Sequence, residues 1–310
     1  MTQSFHAIEY QRRNGVAVII MNNPPVNGLS HAVRRGLVEA FAQAVDDPHV
    51  CAVVLTGAGK GFSAGGDIRE LGTPAAAAAP ALSLQVHPVI ESCCKPTVAA
   101  LHGIAMGGGL ETALVCHYRL AAADTRIALP EIRLGLIPLS GTQRLPRVLG
   151  LGAAIDLILE SKTMRARDFP PNTLFDEVID AEPAAVVERA IEYASAITRD
   201  RREPLPLVRH RPLKAAEDSG VVLSQARQRA AEIGPVATAA VEAIAGALES
   251  ADFDAGMKRA RELYDALSAS HEVRRQRDQF LAARSGTGAA SSPGGPASPG
   301  RERRSREPPP

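Results

Sequence analysis

Gly103-Ile104-Ala105-Met106-Gly107-Gly108-Gly109-Leu110-Glu111 is a glycine run that ends in one acid. Three consecutive glycines let the backbone come close to another group, at an entropic cost that an ordinary loop avoids. The apolar segment Leu110 to Val115 follows at once. The glycines therefore lead into a helix whose first N–H groups lack internal partners and suit an oxyanion or a phosphate. The simpler alternative is a tight turn between a strand and a helix. Upstream, Thr97-Val98-Ala99-Ala100-Leu101 is a short apolar run of the kind a doubly buried strand shows. The same order occurs earlier, where Cys51-Ala52-Val53-Val54-Leu55-Thr56 feeds the glycine-rich loop Gly57 to Ile68. The two copies lie about 45 residues apart. Such a repeat sets two strand-end loops side by side, so that one N–H from each converges on a single oxygen, as acyl chemistry requires of an oxyanion hole. Gly57-x-Gly59 lacks the third glycine of a dinucleotide fingerprint and the Lys-Ser/Thr ending of a phosphate loop.

Outward from these loops, Asn14-Gly15 separates two β-rich runs, His6 to Tyr10 and Val16 to Met21, and predicts a hairpin. Val33, Leu37, Val38, Phe41 and Val45 form a helical stripe. Thr73 to Pro80 is alanine-rich and bracketed by prolines, and reads as a mobile segment or short helix beside the site. Leu82 to Ser92 is helical in pattern. Later helices are expected at Thr142 to Gly150, Leu151 to Leu159 and Ala184 to Ile197, with a strand at Asp176 to Asp180. Beyond about residue 206 strand signals give way to helices near Ser219 to Glu232, Val236 to Ser250 and Phe253 to Leu267. Residues 285–310 are rich in Gly, Ser, Pro and Arg and are expected to be disordered.

The 310 residues are 45% hydrophobic and 22% charged, enough for a large core. A net charge of +1 offers no field for nucleic acid or an anionic membrane. The apolar runs are too short to span a bilayer and the N-terminus shows no charged and apolar leader pattern, so the expected location is cytoplasmic. Four cysteines without C-x-x-C spacing read as reduced thiols. A Cys116–His117 dyad is disfavoured because neighbours on a strand spanning Cys116 to Ala122 point to opposite faces.

Taken together, several motifs resemble the enoyl-CoA hydratase/isomerase (crotonase) superfamily. They are Asn23-Pro24-Pro25-Val26-Asn27, Phe62-Ser63-Ala64-Gly65-Gly66-Asp67-Ile68-Arg69, Gly107-Gly108-Gly109-Leu110-Glu111, Cys116-His117-Tyr118-Arg119, Leu129-Pro130-Glu131 and Gly141-Thr142-Gln143-Arg144-Leu145-Pro146. The match runs from Ile8 to about Leu267 and is most like the N-terminal half of bifunctional hydratase/3-hydroxyacyl-CoA dehydrogenases. The resemblance implies an α/β fold, a spiral of ββα repeats over residues 1–205 followed by a helical region over 206–284. It implies an oxyanion hole from the N–H groups of Gly66 and Gly108, and catalytic acids at Glu111 and Glu131. Backbone around Pro25, Val26, Ala64, Asp67 and Ile68 would hold coenzyme A, with Lys60 and Arg69 as phosphate partners.

The reaction so implied is addition of water to a trans-2-enoyl-CoA, with no metal and no cofactor beyond the CoA of the substrate. Two alternatives stand beside it, a Δ3,Δ2-enoyl-CoA isomerase and a catalytically silent acyl-CoA-binding homologue. The expected partner is the acyl-CoA alone, with homotrimer, hexamer or monomer open. Three departures from the family pattern stand out. Position 24 is proline where relatives often carry lysine, and Pro138-Leu139-Ser140-Gly141-Thr142 is one residue shorter than the usual loop, so Leu139 is expected to crowd the water site. No Gly-x-Gly-x-x-Gly fingerprint follows Leu267.

Overall fold

The computed structural model describes residues 2–200, 204–213, 218–275 and 278–279. The expected disordered stretch 285–310 lies outside the described residues. In chain order the elements are β1 (Thr2–Phe5), β2 (Ile8–Arg13), β3 (Val16–Met21), α1 (His31–Asp46), β4 (Ala52–Gly57), α2 (Pro74–Ala77), α3 (His87–Glu91), β5 (Thr97–Leu101), β6 (Ile104–Met106) and α4 (Gly108–Leu114). There follow β7 (Tyr118–Ala122), β8 (Arg126–Ala128), α5 (Gly141–Leu149), α6 (Leu151–Glu160), β9 (Met164–Arg165), β10 (Glu177–Ile179) and α7 (Pro183–Arg199). The helical C-terminal region is α8 (Ser219–Ile233), α9 (Pro235–Glu249) and α10 (Phe253–Ala269).

Seven strands form one sheet in the order β1-β2-β3-β4-β5-β7-β10, and β6-β8-β9 form a second. The first three strands are antiparallel, and from β3 onward neighbours run parallel. Asn14 and Gly15 both adopt positive φ, 51° and 80°, as the hairpin signal requires. Alternation along the strands divides the interior in two. Ala17, Ile19, Val53, Leu55, Ala99 and Leu101 join a large apolar cluster with α1 and the C-terminal helices. Val16, Val18, Val54, Val98 and Leu120 face α7 through Val186, Ala190 and Ile191. Leu223, Ala226 and Ala240 share the large cluster with Ile8 and Phe41, so apolar packing continues across residue 205.

Several sequence expectations change. β1 was not anticipated, because a short edge strand buries no alternating face that would mark it. The stretch from Leu82 splits into a π-helical turn, Leu82–Val86, and α3. Val45, placed on the apolar stripe of α1, is 38% exposed, whereas the charged Arg34 is buried. β7 begins at Tyr118, so Cys116 and His117 precede the strand. The dyad fails for a different reason from the one expected. His117 Nδ1 accepts from the Thr97 N–H at 3.0 Å, and burial holds its pKa down near about 4. Burial pushes the Cys116 thiol up to about 12, which leaves it unreactive. All four cysteines are free thiols.

The C-terminus of α1 carries no basic residue of its own. Lys95, on the turn before β5, instead donates from Nζ to the carbonyls of Ala44 and Asp47 at 2.7 and 2.8 Å. Lys95→Met is expected to cost about 1–2 kcal/mol in urea unfolding, since it removes two charged donors from a helix terminus. An unchanged unfolding midpoint would contradict that role.

Candidate active site

The sheet register brings the two glycine loops together. β4 pairs in parallel with β5, Val53 opposite Thr97 and Leu55 opposite Ala99, so the loops that leave them start level. They stay paired beyond the sheet through the Ser63–Ala105 bridge. Phe62 N–H donates to His102 O, Ser63 N–H to Ile104 O and Met106 N–H to Ser63 O, at 2.9 to 3.1 Å. A Cβ on Gly65 would stand 2.7 Å from Met106 O and 3.0 Å from Gly108 N. The contact is backbone on backbone, which only glycine permits there. From Gly108, the amide nitrogen of Gly66 lies 3.7 Å from the position a Cβ would take. Gly108 opens α4, so its N–H has no intrahelical acceptor. The two amides named from sequence are thus neighbours.

Glu111 sits in the first turn of α4 and is 6% exposed. Its Oε1 accepts from the Gly141 N–H at 2.7 Å, at the N-terminus of α5, where the helix dipole favours an anion. Burial raises its pKa, opposed by the N–H groups of Gly141 and Ser140 and by the charges of Arg144 and Arg261. Glu131 begins a 3₁₀ turn, and its Oε2 is buried with no hydrogen-bond partner. Burial pushes this carboxyl well above the ordinary range, and the nearby Glu111 charge pushes it further. Gly107, at φ 52°, makes room for it, since a Cβ there would stand 2.6 Å from Glu131 Oε1. The result is two adjacent carboxyl groups in unlike settings. Glu111 is hydrogen-bonded and suited to carry charge, and Glu131 is unpartnered and suited to hold a proton.

Of the residues expected to hold coenzyme A, Lys60, Ala64, Asp67 and Ile68 belong to the Gly57 to Ile68 loop, and Pro25 and Val26 to the turn before α1. Ala64 N–H donates to Val26 O at 2.9 Å, which ties the Pro25-Val26 turn to that loop. Lys60 and Pro25 are exposed, and Ile68 is 53% exposed. Arg69, expected as a phosphate partner, has its side chain 61% exposed and is also paired within the chain. Its Nη2 and Nε bind Asp67 at 2.6 and 2.9 Å, and Nη2 also reaches Asn23. Asp67 is held below its ordinary pKa by that guanidinium. Leu139 is 7% exposed within the large apolar cluster, and the short loop that carries it still delivers the Gly141 N–H to Glu111.

Asn27 closes the Asn23 to Asn27 motif. At φ 53° its Nδ2 donates to the carbonyls of Ala58 and Gly61, and its own carbonyl accepts from Ser63 Oγ. It holds the Asn23 to Asn27 turn against the first glycine loop. Asparagine's tolerance of left-handed backbone was the available signal. Arg144 and Arg261, whose charges act on Glu111, come from α5 and α10; Arg144 lies in the Gly141 to Pro146 motif, whereas Arg261 carries no local signal. Among the described residues, no group of three or more His, Cys, Asp or Glu is placed to hold a metal ion.

The sequence model of the enoyl-CoA hydratase/isomerase family matches residues 11–237. The chain belongs to that family. Among curated proteins, this enoyl-CoA hydratase/isomerase homologue is 36% identical over 284 residues to the peroxisomal bifunctional enzyme of Homo sapiens, covering 89% of this chain and 38% of that protein. It is 37% identical over 227 residues to the peroxisomal fatty acid beta-oxidation multifunctional protein of Oryza sativa subsp. japonica, covering 71% and 31%. The chain thus spans less than two fifths of the length of either relative. Among solved structures, a carnitinyl-CoA dehydratase from Mycobacterium avium 104 aligns with TM-score 0.61 and 29% identity over 87% of this chain and 94% of that one. An enoyl-CoA hydratase from Bacillus anthracis aligns with TM-score 0.58 and 27% identity over 91% and 96%. The family spiral and its helical C-terminal region are therefore the fold of this chain.

Proposed function

We propose that this chain hydrates trans-2-enoyl-CoA thioesters to 3-hydroxyacyl-CoA. The observation that carries the reading is the unlike pair of buried carboxyl groups beside two adjacent glycine amides. The thioester oxygen sits between the N–H groups of Gly66 and Gly108, which stabilise negative charge as the C=C bond is attacked. Glu111, ionised and held by Gly141, takes a proton from water as the hydroxyl oxygen bonds to C3. Glu131, protonated, gives its proton to C2. One proton is taken up and one delivered, so the step is redox-neutral, and the two carboxyls supply its acid and its base. Pro25, Val26, Ala64, Asp67 and Ile68 support the CoA by backbone, with Lys60 and Arg69 at the exposed rim. Among the described residues no helix is long and apolar enough to cross a membrane. Both relatives are named as peroxisomal proteins, which gives the cytoplasmic expectation no support. The chemistry itself needs only a compartment that contains acyl-CoA.

The test is loss of the conjugated-enoyl absorbance of crotonyl-CoA with purified protein, run beside a 3-enoyl-CoA. Hydration of the first supports the reading. Turnover of the 3-enoyl ester alone makes the chain an isomerase, and binding without turnover of either makes it a silent acyl-CoA binder.

Arg261 gives a pH signature. Its charge lowers the Glu111 pKa, so Arg261→Met lets that pKa rise. The acid limb of kcat/KM, below which the base is protonated, is expected to move to higher pH. An acid limb that stays in place removes Arg261 from the electrostatics of the site.

A further inference from the structure

The alanine-rich strap Thr73 to Pro80 crosses beside the site with nothing apolar to hold it. None of its residues is buried, and α2 within it buries no side chain. A segment without apolar anchors stays in place only through hydrogen bonds. Three of those bonds come from one side chain, Arg34, in the first turn of α1 with its side chain 7% exposed. Its Nε donates to Pro80 O at 2.9 Å, and its Nη2 to Ala75 O at 2.7 Å and Ala78 O at 3.3 Å. Its Nη1 donates to Leu29 O at 2.9 Å and to Glu70 Oε2 at 3.3 Å. Every guanidinium nitrogen is used. His31 adds a second tether, with its N–H on both Glu70 oxygens at 2.9 Å and its Nε2 2.8 Å from Ala79 O.

Both ends of this clamp lead to Gly108. Leu29, whose carbonyl Arg34 holds, puts Cδ1 3.3 Å from the Cβ position of Gly108, and its N–H donates to Gly65 O at 2.8 Å. Leu82, two residues beyond the clamped Pro80, puts Cδ2 at 2.9 Å from the same position. We infer that Arg34 is a positioning residue that fixes Leu29 and Leu82 as the two walls beside the Gly108 amide, and so sets where the thioester oxygen is received. This rests on the reading of Gly66 and Gly108 as the oxyanion site. The fork geometry is needed as well as the charge, since one ammonium cannot span carbonyls on both chain segments.

The experiment compares Arg34→Gln, Arg34→Lys and the milder Glu70→Gln with the unaltered protein, by hydrogen exchange, crotonyl-CoA kinetics and calorimetry with free coenzyme A. Expected is faster exchange over residues 73–82 in all three, with the amides of β4 and β5 as protected as before. The two Arg34 variants should lose about 10–100-fold in kcat, the scale of a small misplacement of reacting groups. The Kd for free coenzyme A should not change, because the turn at Val26 and the loop at Ala64 are untouched. Unchanged exchange in the strap overturns the clamp. Faster exchange with unchanged kcat overturns its link to the site, and full rescue by Arg34→Lys overturns the fork. Should Arg34→Gln not fold, Arg34→Lys decides the link to the site by kcat, and Glu70→Gln decides the clamp by exchange over the strap. Failure of the hydratase reading shows separately, as an unaltered protein that does not turn over crotonyl-CoA, while strap exchange still decides the clamp.

Discussion

Glu131→Gln is expected to lower kcat for hydration of crotonyl-CoA by about 10²–10⁴-fold, the range for loss of a positioned general acid or base. Glutamine keeps the shape of the side chain but has no proton to give to C2. Glu111→Gln should fall in the same range by losing the base, and the double variant should be little worse than the poorer single one, because the two act as a unit. Affinity for a CoA ester should survive, since the groups assigned to it are backbone. Stability should move the other way. A carboxyl whose folded pKa lies above its unfolded one contributes its stability at low pH and loses it as pH rises through the folded value. Glu131 is such a group, pushed up first by burial and then by the Glu111 charge. Glu131→Gln should therefore melt higher than the unaltered protein at neutral pH, with the difference shrinking as pH falls towards about 4. Equal kcat in the variant would sink the assignment of Glu131, and a melting difference independent of pH would sink the account of its burial.

The second large effect is on stability. Arg144 Nη2 lies 2.9 Å from both oxygens of Glu91, with the two side chains 4% and 6% exposed. Arg209 Nη1 adds a longer contact at 3.5 Å and binds Asp254 through Nη2 at 2.7 Å. Arg144, Arg147 and Arg209 all stand over the Phe253 ring, at 4.8, 5.1 and 4.9 Å from its centroid. Glu91 is the carboxylate that pairs with Arg144 among these stacked guanidinium groups. Glu91→Ala leaves a buried cation without it and is expected to cost about 3–5 kcal/mol in urea unfolding. Replacing both partners, Glu91→Met with Arg144→Met, should recover most of that loss, because the unpaired charge and not the missing pair is the expensive element. A single-variant loss below about 1 kcal/mol would mean that Phe253 and water already satisfy Arg144.

The parts of this site readable from sequence share one property: each is encoded locally. Gly107-Gly108-Gly109 before an apolar segment marks backbone that must come close to something, and Asn14-Gly15 marks a hairpin, because φ preference belongs to the residue itself. The helices of the C-terminal region carried their own periodicity. What was not readable depends on partners far along the chain. Arg34 reads as a polar residue on a helix, and only the fold brings Ala75, Ala78 and Pro80 to it. Glu91 and Arg144 are 53 residues apart and follow no period. The π-helical turn at Leu82–Val86 has the composition of an ordinary helix. Leu139 packs into the large apolar cluster, among partners far along the chain that loop length alone does not name.

The pairing of the two glycine loops through main-chain groups bears on how such a protein can change over generations. The proposed oxyanion donors are peptide N–H groups, and nearly any residue but proline supplies one. Substitution disturbs them where it adds bulk against the paired backbone, as at Gly65, 2.7 Å from Met106 O, or at Gly109, 2.5 Å from Ser63 O. The proposed acid and base, by contrast, are single side chains, each open to loss by one base change. On that assignment, a lineage built on this plan can exchange one reaction for another, or fall silent, and still grip a thioester. Drift therefore erases the chemistry well before it erases the hold on the substrate.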